Sequence, residues 1–358
     1  MTSAVSVPRS LAFVGLSLLA TICAPALART RVAEPAAGPR DRVVTAWPQK
    51  AKGPVLLAVS LADQRMTVWD NGVLVARSPI STGLAGHETP RGAFTVLQKR
   101  PMHRSNIYNS APMPYMQRLT WSGVALHQGH VTGRPASHGC VRLPADVAKR
   151  LYGITRIGAR VIITDQPVAP ADFAHPKLFS AAAPEPSALA PAPVRLASLH
   201  PADMDLAKAE PILPAATPEP KPEPEHRTQS PKAPREPSGH VSVFISGKER
   251  KLFMRQGFEP IYESPVEIQA GGALGAHLFT AMEVERASGA VRWSRVSLPV
   301  AGARASEAAE ALERIDIPEE ARLEVGRRLS AGASLLIADQ GLGRETGKTA
   351  TDFILLTP

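Results

Sequence analysis

Proline and alanine crowd one stretch of this chain, from about Pro167 to Gly239, and that stretch constrains how the rest can fold. It includes the run Ala216-Thr217-Pro218-Glu219-Pro220-Lys221-Pro222-Glu223-Pro224-Glu225. Proline lacks the N–H that a helix interior or inner strand requires, and such a composition cannot bury enough apolar area to offset the entropy of ordering. The sequence therefore predicts a disordered linker over 167–239, its ends on the order of 50 Å apart as a coil. Enough chain remains on either side for one domain at 54–166 and a second, smaller one at 240–358. A linker of this kind would not dock the two rigidly.

Residues 1–28 read as a secretory signal peptide: Arg9, an apolar run from Leu11 to Ile22, then Ala26-Leu27-Ala28 before the cleavage point. The run is short for a membrane span, so no span is expected after cleavage; an uncleaved anchor is the alternative. Residues 29–53 read as a flexible segment. Cys23 leaves with the signal, since bulky Ile22 precedes it where a lipidation site wants a small residue. Cys140 then has no partner for an intramolecular disulfide. The formal charge of +9 suits an anionic cell-envelope surface. Nothing resembles a helix-turn-helix, a zinc finger or an aromatic RNA platform, so nucleic acid is not an expected partner.

The 54–166 domain reads as mainly β with short helices. Strands are expected at Val55–Ser60, at Met66–Ala76 across an Asn71-Gly72 hairpin turn, and at Ala93–Leu97, Gly123–His127 and Arg160–Thr164. One helix is expected to begin at Pro144 and end at Gly153, with Val147 and Leu151 on its buried face.

Cys140 sits in Ser137-His138-Gly139-Cys140-Val141-Arg142-Leu143, after the strand-like Val124-Ala125-Leu126-His127. A free thiol is mostly protonated near neutral pH and needs a neighbouring base to become thiolate. His127 and His138 are both candidates for that base. Gly139 lets the backbone come close to a substrate, and its N–H with that of Cys140 could face a developing oxyanion. His127, His130, His138 and Cys140 match no common zinc-ligand spacing, so a zinc site is not expected.

At these residues the chain resembles the L,D-transpeptidase family, whose YkuD-type catalytic domain remodels bacterial peptidoglycan. The family's strand histidine followed by Ser/Thr-His-Gly-Cys is matched by His127 and Ser137-His138-Gly139-Cys140. The similarity extends through Val59-Ser60-Leu61, Thr89-Pro90-Arg91-Gly92 and Met113-Pro114-Tyr115, and on to about Thr164. Two departures stand out: the loop from His127 to Ser137 is short, and Arg142 replaces the asparagine of many members. The resemblance implies a YkuD-like β-sandwich in which Cys140 attacks the diaminopimelate–D-Ala bond of a peptidoglycan tetrapeptide stem. D-Ala departs, a thioester acyl-enzyme remains on Cys140, and a side-chain amine of a second stem resolves it, with no metal or cofactor implied.

By the same resemblance His127 is the proton donor and acceptor, its imidazole oriented by the Gln128 carbonyl, with His138 secondary. Met113 and Tyr115 would line the donor site within a covering segment, Ala111 to Leu119. Ser137 would orient the loop, and Arg142 would pair with a substrate carboxylate or brace the turn. Water as acceptor would make an L,D-carboxypeptidase, and a protein amine an anchoring enzyme. A wall-binding scaffold is the non-catalytic alternative. The implied place of work is the periplasm or cell-wall face of a bacterium.

The 240–358 segment repeats words of the first domain in order. Ser60, Ser78 and Pro79 are answered by Ser246, Ser264 and Pro265 at an offset of 186; Gly158-Ala159 and Asp165-Gln166 are answered by Gly332-Ala333 and Asp339-Gln340 at 174. The sequence thus suggests a second YkuD-like copy without the histidine and cysteine, with helices near 306–315 and 318–329.

Overall fold

The computed structural model describes residues 47–182, 238–300, 307–344, 346 and 351–357. The expected signal peptide and most of the expected linker lie outside the described residues. The first half runs β1 (Val55–Ser60), β2 (Arg65–Asp70), β3 (Val73–Pro79), β4 (Gly92–Thr95), β5 (Gln98–Arg104), β6 (Pro112–Arg118), β7 (Ala125–Gln128), β8 (Val141–Leu143), α1 (Ala145–Ile154), β9 (Arg160–Thr164) and β10 (Ala171–Phe173). The second half runs β11 (Val241–Ser246), β12 (Lys251–Gln256), β13 (Glu259–Pro265), β14 (Glu267–Ile268), β15 (Ala276–Glu285), β16 (Ala290–Leu298), α2 (Ala308–Glu313), β17 (Ile315–Asp316), α3 (Glu319–Arg328), β18 (Ser334–Ala338) and β19 (Leu355–Leu356). The protein is mainly β with short helices, and no described helix is long and apolar enough to cross a membrane.

Local chemistry accounts for the clearest elements. Asn71 and Gly72 both take positive φ, 51° and 80°, as a two-residue hairpin turn between right-twisted strands requires. In α1 the buried residues Val147, Ala148, Leu151 and Ile154 form one stripe against the core. Pro144 caps this helix from outside rather than opening it. Gly153 lies within it, and the helix stops at Thr155, whose Oγ1 donates to the Leu151 carbonyl at 2.8 Å.

Three sheets set the architecture. A six-stranded sheet has the order β19-β4-β9-β1-β2-β3, a four-stranded one β5-β6-β7-β8, and a seven-stranded one β10-β16-β15-β18-β11-β12-β13. The six- and four-stranded sheets share a core with α1 that includes Leu57, Val59, Phe94, Leu126, Val141, Leu151 and Ile163. Each such side chain contributes about 1.5–3 kcal/mol by leaving water.

The two halves are not separate bodies on a tether. Alternate residues of β9 face opposite ways: Val161 and Ile163 enter the first core, and Ile162 meets Phe244, Leu278, Leu336 and Leu355 in a core shared by both halves. β9 and β18 are buried along their whole length, which explains their near-continuous apolar sequences. The expected loose docking is thereby corrected. The expected linker also starts later than Pro167: β10 pairs with β16, and Leu178 and Phe179 are buried in the second core.

A buried polar cluster crosses this junction. Arg160 Nη2 lies 3.3 Å from Asp352 Oδ2, and Asp352 also accepts from Thr95 Oγ1 at 2.9 Å and Ser242 Oγ at 3.0 Å. Burial alone would raise the Asp352 carboxyl, but Arg160 and His240 beside it hold it far below the usual carboxylate range. Three residues on, β19 pairs with β4 and so completes the first sheet with chain from the second half.

The strand order β4-β9-β1-β2-β3 recurs as β15-β18-β11-β12-β13, with the same parallel and antiparallel relations. Details recur with it. The register breaks at Val68/Trp69 and again at Met254/Arg255, and positive φ falls on Asn71-Gly72 and again on Gly257-Phe258.

Candidate active site

The four-stranded sheet places the chemistry. Leu126, Val141 and Leu143 point into the core, so their neighbours in sequence face the other way. On that face β6 presents Met116 and Arg118, β7 presents Ala125 and His127, and Cys140 and Arg142 follow on the β8 side. His127 and Arg142 are paired directly across the parallel β7–β8 ladder. These residues floor a cleft of about 930 Å³. His103, His130 and His138 also line it, and no aspartate or glutamate is among its lining residues.

The turn that carries Cys140 is stapled from several sides. Ser137 N donates to the Thr82 carbonyl at 2.9 Å, Leu84 N to the Ser137 carbonyl at 3.0 Å, and Arg142 N to the Ser81 carbonyl at 2.8 Å. Thr89 Oγ1 donates to the Gly139 carbonyl at 2.9 Å and accepts from Gly83 N at 2.8 Å. Ser137 Oγ donates to the Cys140 carbonyl at 2.5 Å and accepts from Gly139 N at 3.2 Å. Gly139 needs φ 108°, a backbone region that L side chains avoid. Its N–H, expected to face an oxyanion, is instead directed to Ser137.

His127 Nδ1 lies 2.7 Å from the Gln128 carbonyl oxygen. A carbonyl only accepts, so Nδ1 carries the proton and Nε2 is left as the basic nitrogen. Burial pushes His127 below the ordinary histidine value; the Gln128 carbonyl opposes this and the Arg142 charge adds to it. Cys140 Sγ donates to the Gly123 carbonyl at 3.4 Å. Burial raises the thiol, while the Ala125 N–H and the charges of Arg142 and Arg118 favour thiolate. Both shifts favour the neutral forms of the thiol and the imidazole.

The other expected residues sort by geometry. Met113, Ser137 and Arg142 line the cleft. Tyr115 does not: it packs on the core side, its ring 5.8 Å from that of Tyr152. The reason is a break in the β5–β6 ladder, where Arg100 pairs with Met116 and Met102 with Pro114, leaving Tyr115 at φ 54° opposite Pro101. That break reverses the alternation, so Met113 and Met116 share a face while Tyr115 leaves it. His138 is exposed and stacks on Tyr108 at 4.7 Å, with His87 at 4.9 Å. The expected covering segment 111–119 is mostly β6 itself, and the cleft is covered instead by the hairpin tip that holds Ser105 to Asn109. That tip and Arg118 escaped sequence reasoning. The one signal for Arg118 was its place two residues after the buried Met116 on a strand.

With this geometry described, similarity to known proteins identifies the segment. Residues 54–163 match YkuD, the L,D-transpeptidase catalytic domain. The YkuD segment contains the four-stranded sheet, Cys140 and His127. Among solved structures the chain is similar to an L,D-transpeptidase from Mycobacterium smegmatis, at 26% identity over 31% of this chain and 59% of that one, with a TM-score of 0.30. It is similar to an L,D-transpeptidase from Stackebrandtia nassauensis at 30% identity over 32% and 57%, TM-score 0.29. It is also similar to one from Mycobacterium tuberculosis at 25% over 31% and 58%, TM-score 0.30. The chain thus spans less than two thirds of the length of each. No curated protein matches it.

Proposed function

We propose that this protein is an exported L,D-transpeptidase that acts on peptidoglycan tetrapeptide stems through Cys140, with 54–166 as its catalytic domain. The observation that carries this reading is the placement of His127 on β7 and of Cys140 in the turn that leads into the adjoining β8, both lining one cleft inside the YkuD segment. His127 Nε2 takes the thiol proton as sulfur attacks the carbonyl of the diaminopimelate–D-Ala bond, and returns it to the leaving amine. A thioester on Cys140 remains, and an amine of a second stem displaces it. Since Gly139 N–H is turned to Ser137, the backbone N–H of Cys140 is the better placed of the two for the oxyanion. Arg142 and Arg118 stabilise the thiolate once it forms.

The 240–358 half is a second copy of the YkuD-like strand order that lacks the nucleophile and base. The recurring order, registers and turn conformations support this. Its role is architectural, since it covers the back of the first sheet.

Incubating the chain from Arg29 with disaccharide-tetrapeptide, alongside Cys140→Ala, tests the function by mass spectrometry. D-Ala release with cross-linked dimers, abolished in the variant, is the expected result. Release without dimers would make it a carboxypeptidase. No product and no adduct on Cys140 would leave a wall-binding role.

A further inference from the structure

The cleft floor is laid out in rows. Gln98 pairs with Arg118 across β5 and β6, and Arg118 pairs with Ala125 across β6 and β7. Carrying the Leu126–Val141 register back by one residue sets Ala125 beside Cys140. Arg118, on β6, and Cys140, in the turn before β8, therefore lie two strand spacings or about 10 Å apart at the backbone, with Ala125 between them on the cleft face and Met116 packed beside it. The next row holds His127 beside Arg142. The two arginines are thus not equivalent: one flanks the base, the other looks across at the nucleophile.

Arg118 is held in place. Its Nε donates to Gln98 Oε1 at 3.2 Å, and its guanidinium lies 5.4 Å from the centre of the Trp121 ring. Among the described residues it has no carboxylate partner, and the cleft it lines offers none. A braced, half-buried guanidinium with no counter-ion is a ready site for a carboxylate, which its planar fork of donors matches.

We propose that Arg118 binds the α-carboxylate of the amino acid that leaves from the scissile bond. This rests on the assignment of Cys140 as nucleophile. In a peptide ending in a free amino acid, the carboxylate carbon lies three bonds from the carbonyl carbon that sulfur attacks. A cation across the row from the sulfur is where that carboxylate arrives when the carbonyl is in line with Cys140. The site therefore selects donors with a free C-terminal carboxylate over C-terminal amides.

Two readouts on the full chain test this. The first is kcat/KM for matched disaccharide-tetrapeptide donors ending in carboxylate or carboxamide, with wild type, Arg118→Gln and Arg118→Lys. Wild type is expected to favour the acid by about thirtyfold, the worth of a charge-assisted bond to a carboxylate. Arg118→Gln should abolish that preference by slowing the acid about thirtyfold more than the amide, the loss common to both donors reporting the weaker thiolate, and Arg118→Lys should retain part of the preference. Equal losses on both donors would overturn the proposal and reduce Arg118 to a brace of the sheet. The second readout needs no turnover: the rate of Cys140 alkylation by iodoacetate relative to iodoacetamide, followed by intact mass. Arg118→Gln should lower this ratio about tenfold while Arg118→Lys preserves it, and an unchanged ratio in Arg118→Gln would overturn the anion site. If neither donor turned over in wild type but the ratio still responded to Arg118→Gln, the transpeptidase reading would fall and the anion site would stand.

Discussion

At the scale of single residues, the proposed mechanism depends on a thiol and an imidazole that become charged together. In the proposed mechanism His127 must be unprotonated to accept from Cys140, and burial lowers its pKa in the direction that favours this. The acid limb of kcat/KM is therefore expected below pH about 6.5, the ordinary histidine value. The sign for stability follows from the same shift. The unfolded chain takes up the proton first as pH falls below about 6.5, so His127 contributes to stability above that value and progressively less beneath it. Removing the nearby positive charge by Arg142→Gln should raise the His127 pKa and move the acid limb to higher pH. An unmoved limb in the pH–rate profile would assign it to another group. Thr89 acts through the backbone: Thr89→Val breaks its links to the Gly139 carbonyl and Gly83 N–H. That change should cost about 2 kcal/mol and lower Tm by about 5 °C in a thermal melt, with kcat falling as the turn loosens.

At the scale of elements, the Ser137–Arg142 turn and the β5–β6 hairpin show opposite degrees of legibility. The turn was readable because its chemistry is local: a glycine that must take positive φ, a serine that bonds the backbone it bends, and an alternating Cys-Val-Arg-Leu that sends one face inward. Gly139→Ala should cost about 1–2 kcal/mol through its φ of 108° and displace Cys140; iodoacetamide labelling with a melting curve would separate the two effects. The hairpin was not readable. Gln98-Lys99-Arg100-Pro101-Met102-His103-Arg104 has no apolar alternation, and it becomes a strand because β6 offers it a partner. The same interruption that brings Met113 to the cleft turns Tyr115 away, and no propensity in the sequence foretells the positive φ of Tyr115 that causes it.

At the scale of the whole molecule, the two halves share one core and one polar cluster. A chain ending near Gln166 would uncover Ala93 and Ile162 and leave Arg160 without Asp352. Such a truncation is expected to aggregate rather than retain turnover, which size-exclusion chromatography would show. Asp352→Asn leaves the Arg160 charge buried without its counter-ion and should cost about 3–5 kcal/mol in a denaturant titration. Because the folded Asp352 pKa lies below its unfolded value of 3.8, this contribution is complete above that pH and is lost as pH falls through the folded value.

By itself the sequence determined the short-range structure and supplied the residues on which the proposed chemistry rests. The thiol and histidine pair, the Asn71-Gly72 hairpin, the amphipathic α1 and the order of repeated words are all written in neighbouring residues. Only the tertiary structure decided that Arg118 faces Cys140, that Tyr115 does not, and that 240–358 closes the back of the first sheet. Those relations depend on strand register and on which sheet faces stack. Both are settled by packing among residues far apart in the chain, 257 positions in the case of Thr95 and Asp352, and no local pattern encodes that distance.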